Sequence, residues 1–96
     1  MSKKASAKRL SELLGIPEHK PIVGGTLSRD WLFTLYEAIV KQCENHPGEL
    51  QDKKLGKHKL VIAMFDVLEL PGAENHISAG GTVKGSALVE IIQALE

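Results

Sequence analysis

The triplet Gly24–Gly25–Thr26 recurs as Gly80–Gly81–Thr82, and each copy leads into the same order of apolar residues. At a gap-free displacement of 56 residues, Leu32 meets Leu88 and Ala38 meets Ala94 as identities. Leu27/Val83, Phe33/Val89, Leu35/Ile91 and Ile39/Leu95 keep apolar character, and Glu37/Gln93 keeps one side-chain shape. Three matching letters carry little weight alone. The downstream agreement is what constrains the fold, because it asks two stretches to present equivalent apolar faces to one interior.

Periodicity assigns helices to both stretches. From Leu27 to about Asn45, the polar residues Asp30, Thr34, Glu37, Lys41 and Glu44 form a narrow wet stripe opposite Trp31, Leu35 and Ile39. Val83 to Leu95 repeats the pattern. Before the first triplet, the segment ASAKRLSELLGIP reads as a short helix with Ala7, Leu10, Leu13 and Leu14 on its apolar face and Lys8, Arg9, Ser11 and Glu12 opposite. Gly15 and Pro17 end it. The run LVIAMFDVLEL is ambiguous: its Val, Ile and Phe content suits a strand, but its length and lack of alternation suit a buried helix. The expected fold is all-α, with about four principal helices in two pseudo-repeated helix–connector–helix units. The alternative is α+β, with residues 60–68 as a strand. Trp31, Phe33, Leu35, Ile62, Phe65, Leu88, Ile91 and Ile92 are the expected core.

At 96 residues the chain is expected to form one small domain, and a domain cut from a longer protein fits as well. The lone Cys43 excludes an internal disulfide framework and favours a reducing, cytoplasmic setting. No apolar run reaches the ~20 residues of a membrane span, and the N-terminus has lysines without the apolar stretch of a signal peptide.

Two features point to function. Glycine before a helix start leaves backbone N–H groups at the positive end of the helix dipole, where phosphate binds well. Each threonine is expected to cap the helix that follows. Charge is also uneven: residues 1–59 carry 11 basic and 7 acidic side chains, while residues 60–96 carry 1 and 5. The leading expectation is therefore a non-catalytic nucleic-acid-binding module, most plainly for DNA. Its candidate phosphate contacts are Gly25, Thr26 and Arg29 at the first helix start, Gly81, Thr82 and Lys84 at the second, and the basic cluster Lys53, Lys54, Lys57 and Lys59. The alternative is a protein-interaction or self-association module, motivated by opposite charge on the two parts of the chain. No spacing of carboxylates, Ser/His/Asp or Cys/His argues for catalysis, so an enzyme is not expected, nor is a cofactor. Cys43 and His46, with His19, His58 and His76, match no metal-ligand pattern, and no metal is expected.

Overall fold

The computed structural model describes residues 2–17, 20–43 and 56–96. Among these lie four α-helices: α1 (Lys3–Leu14), α2 (Arg29–Gln42), α3 (Lys57–Val67) and α4 (Gly85–Leu95). A two-stranded antiparallel ribbon, β1 (Ile22–Val23) and β2 (Thr26–Leu27), joins α1 to α2, and a short 3-10 turn over Ala73–His76 follows α3. The fold is mainly helical, and residues 60–68 do not form the alternative strand. α3 runs through Val67, and its buried residues Leu60, Val61, Met64 and Phe65 recur at helical spacing.

The repeat is real in three dimensions, but its displacement is not constant. In the second helices it is 56 residues: Leu27/Val83, Leu32/Leu88 and Leu35/Ile91 are all fully buried, and the caps Ser28 and Lys84 correspond. In the first helices it is 54, where Ser6/Leu60, Ala7/Val61, Leu10/Met64 and Ser11/Phe65 are the buried pairs. Two extra residues in the second connector account for the difference. One lies between Pro71 and His76, in the stretch containing the 3-10 turn; the other lies in the hairpin loop. Thus a single 56-residue alignment sets the first helix against the wrong face of α3.

Each connector contains a hairpin closed by the same bond. The Ser28 amide donates to the Pro21 carbonyl at 2.7 Å, and the Lys84 amide donates to the His76 carbonyl at 2.8 Å. In the first hairpin Val23 pairs with Thr26 across Gly24 and Gly25, whose φ values of 60° and 80° meet the positive-φ requirement of a two-residue type I′ loop. In the second, Ser78 faces Thr82 across a three-residue loop ending in Gly81, at φ 83°. The repeated triplet is therefore the exit of a hairpin. Gly25 and Gly81 are its left-handed residues, and each threonine is the first residue back on the returning arm.

That placement corrects the expected threonine caps. Thr26 lies in β2, and its hydroxyl donates back to the Val23 carbonyl at 3.1 Å. Thr82 precedes the bridge residue Val83, and its amide donates to the Ser78 hydroxyl. Leu27 and Val83 must stay extended to pair with Ile22 and Ile77 while their side chains enter the core. The helices accordingly start two residues late, at Arg29 and Gly85. Ser28 caps α2 by accepting the Trp31 amide at 3.4 Å, whereas Lys84 caps α4 with no side-chain bond.

α1 packs along α4, and α2 along α3. The shared core includes Leu10, Leu27, Leu32, Leu35, Met64, Phe65, Val83, Leu88 and Ile91. Trp31 and Ile92 also lie in it, while Phe33 and Ile62, expected there, are only partly buried at its margin. α1 is rotated from its expected orientation: Ser6 and Ser11 are buried, and Leu13 and Leu14 sit at the edge.

Candidate functional site

The packing brings helix starts together. Lys3, first residue of α1, lies against the start of α4, where a Cβ on Gly85 would stand 3.1 Å from the Lys3 Cγ. The Lys3 ammonium reaches the Gly25 carbonyl in the first hairpin loop at 3.5 Å. Lys57, first residue of α3, donates from Nζ to the Thr26 hydroxyl at 3.2 Å. His58 borders a shallow hollow of about 240 Å³ with Ser78, Ala79 and Gly81 of the second hairpin. The starts of α1, α3 and α4 and both hairpin loops thus share one end of the molecule. At the other, Leu14 and Gly15 meet Ala38, Lys41 and Gln42 near the end of α2.

Charge is arranged against the helix dipoles at this end. No acidic residue occupies the first turn of α1, α3 or α4, and no basic residue occupies their last turn. Lysines stand instead at the positive ends: Lys3 and Lys4 on α1, Lys57 and Lys59 on α3, and Lys84 before α4. Carboxylates stand toward the negative ends: Glu12 on α1, Asp66 on α3 with Glu69 just beyond, and Glu96 directly after α4. Each such placement is unfavourable by about 0.3–1 kcal/mol at low salt where exposed. α2 differs in having Asp30 in its first turn, beside Arg29, and Lys41 in its last. α3 and α4 also start without a side-chain cap, and in α4 the Ala87 amide turns back to the Lys84 carbonyl at 3.1 Å, so the earlier first-turn amides have no side-chain partner.

The expected contact residues divide accordingly. Thr26 and Lys57 meet directly, Gly25 beside them is reached by Lys3, and Lys59 and Lys84 are exposed on the same end. Gly81 and Thr82 belong to the second hairpin beside His58. Arg29 is engaged locally: its guanidinium lies 5.3 Å from the Phe33 ring centroid and 3.6 Å from the Asp30 carboxylate. Lys53 and Lys54 lie outside the described residues, as do His19 and His46. Lys3 and Lys4 belong, with Lys8 and Arg9, to a second basic segment that the sequence sets beside the Lys53–Lys59 cluster, and they open α1 at this end. Among the described residues, no group of three His, Cys, Asp or Glu is placed to hold a metal ion, and no helix is long and apolar enough to cross a membrane.

His76 carries a further polar contact near the start of α4. Its Nδ1 lies 2.7 Å from the Ser86 hydroxyl, and its ring packs 5.4 Å from Phe65. The ring braces the 3-10 turn between α3 and α4. Comparisons with protein-family models, curated proteins and solved structures return no match.

Proposed function

We propose that the chain is a non-catalytic nucleic-acid-binding module that grips DNA phosphates with its lysine-rich end. The observation that carries this reading is the inversion of charge on α1, α3 and α4. Five lysines at or before helix starts add to the partial positive charge of those starts, at a cost in stability to the free protein. A polyanion laid across that end relieves the repulsion and accepts bonds from first-turn amides that lack a side-chain partner and from lysine ammonium groups. The hairpin loops beside it allow close approach, since Gly24, Gly25 and Gly81 have no atoms within contact distance of a would-be Cβ. Nothing in this arrangement reads base edges; phosphate contact alone favours affinity without strong sequence preference.

A salt titration tests the proposal. Binding to a short duplex should fall with added salt along a log–log slope of about −3 to −5, the value expected if three to five lysines displace counterions. Absence of binding at about 20 mM salt, where screening is weak, would end this reading.

A further inference from the structure

The same charge inversion has a second consequence, independent of any nucleic acid. α1 and α4 start side by side at Lys3 and Gly85, and α3 starts beside the hairpin that leads into α2. On α1, α3 and α4 the helix dipoles and side-chain charges therefore point the same way, with lysines at one end and carboxylates at the other; Lys41 at the acidic end, and Asp30 and Glu74 toward the basic end, offset only part of that asymmetry. Among the described residues the ion pairs are Arg9–Glu96, at 2.6 Å, and Arg29–Asp30, at 3.6 Å. Glu12, Asp66 and Glu69 at the acidic end, and Lys4, Lys59 and Lys84 at the basic end, make no ion pair among the described residues. Lys3 and Lys57 donate only to neutral oxygens. α1 and α3, with 12 and 11 residues, separate their two ends by about 16–18 Å at 1.5 Å per residue. That exceeds the screening length of ~8 Å at physiological salt and falls within the ~30 Å of dilute buffer.

We propose that the acidic end of one molecule docks on the basic end of a second copy, giving head-to-tail association at low ionic strength. The occupant is another copy of this chain because the two complementary surfaces are on the same molecule, on opposite ends. Their separation keeps a molecule from satisfying its own basic end. The contact is heterologous, so it does not close on itself after two copies: association grows with concentration instead of stopping at a dimer. The lysine end is also the end proposed to hold nucleic acid, so a bound duplex and a docked copy exclude each other. Self-association does not depend on that reading and is tested without nucleic acid.

Sedimentation velocity of the full chain over a range of concentrations decides the matter. At about 20 mM salt the weight-average sedimentation coefficient should climb with concentration, and at about 300 mM it should be flat. Reversing charge at the acidic end, in the double variant E12K/D66K, should weaken association about tenfold or more. Loss of fold does not explain such a result, because these lysines sit where helix dipoles favour them; a retained helical circular dichroism spectrum checks the point. Mixing this variant with K4E/K59E, whose acidic end is intact, should restore association that neither shows alone. A chain that stays monomeric at every concentration in low salt, or one that associates equally well after E12K/D66K, overturns the proposal.

Discussion

Gly15 and Glu69 hold the same place in the two halves of the molecule. Each adopts left-handed backbone, at φ 65° and 57°, within two residues of the end of the first helix of its unit. Each is followed by an apolar residue whose amide returns to a carbonyl five positions back: Ile16 to Ser11 at 3.1 Å, and Leu70 to Phe65 at 2.8 Å. A proline comes next in both, Pro17 and Pro71. One half uses the residue this geometry suits; the other holds a β-carbon in a conformation unfavourable by roughly 1–2 kcal/mol.

Replacing that side chain should therefore stabilise the protein. Glu69→Gly relieves the left-handed strain and removes a carboxylate from the negative end of α3, while adding chain entropy to the unfolded state. The expected net gain is about 0.5–1 kcal/mol in denaturant unfolding, seen as a higher midpoint with an unchanged slope. A lower midpoint would mean that Glu69 holds something more valuable than its backbone geometry costs.

The true cap of α2 can be separated from the expected one by two substitutions. Ser28→Ala removes the acceptor for the Trp31 amide and should cost about 1 kcal/mol. Thr26→Val keeps a β-branched side chain in β2 and removes the hydroxyl that bonds Val23 and Lys57. Its cost should be smaller, because both lost bonds are exposed or only partly buried. Chemical denaturation of the two variants ranks them.

Lysines that oppose the helix dipole should link stability and binding in opposite directions. Lys4→Ala and Lys59→Ala should each raise stability by a few tenths of a kcal/mol. Each should also shallow the salt slope of duplex binding by about one. Parallel melting and fluorescence titrations reveal whether the two effects move apart. A variant that gains stability with duplex affinity unchanged would place that lysine outside the interface.

The two halves should respond alike to core truncation. Leu32 and Leu88 are both fully buried at equivalent positions on α2 and α4. Leu32→Ala and Leu88→Ala should each cost about 2–5 kcal/mol, which leaves little margin in a domain this small. Unequal losses would show which half closes more readily around a cavity.

Alkaline pH should destabilise the fold through Tyr36. Burial of the ring raises its phenol above the ordinary value of 10.0 in the folded state. The unfolded chain therefore ionises first, and the contribution present below pH 10 is lost as pH climbs toward the folded-state value. Tyr36→Phe should remove this part of the alkaline loss, as thermal melts at about pH 8 and about pH 11 would show.

The helical segments α1, α2 and α4 and their punctuation were legible from local order, whereas the run that forms α3 stood between strand and helix until packing on α2 decided it. A helix repeats every 3.6 residues, and Gly15, Pro17 and the two diglycines are each confined to a few backbone states. Those constraints act within a few residues, so they survive in the bare sequence. The role of Gly-Gly-Thr was not legible, because a left-handed glycine serves a hairpin loop as readily as the approach to a helix. Pairing of Leu27 with Ile22, and of Val83 with Ile77, chose the hairpin and moved both helix starts onward. Periodicity likewise fixed the angle between faces of α1 but not which face turns inward. Packing along α4 turned small Ser6, Ala7 and Ser11 inward and left Leu13 and Leu14 at the margin. Convergence of Lys3 and Lys57 on a single hairpin came from tertiary packing alone. Residues 54 positions apart in sequence meet there because helices, as rigid rods docked on a shared core, carry their ends wherever side-chain volumes let their faces close.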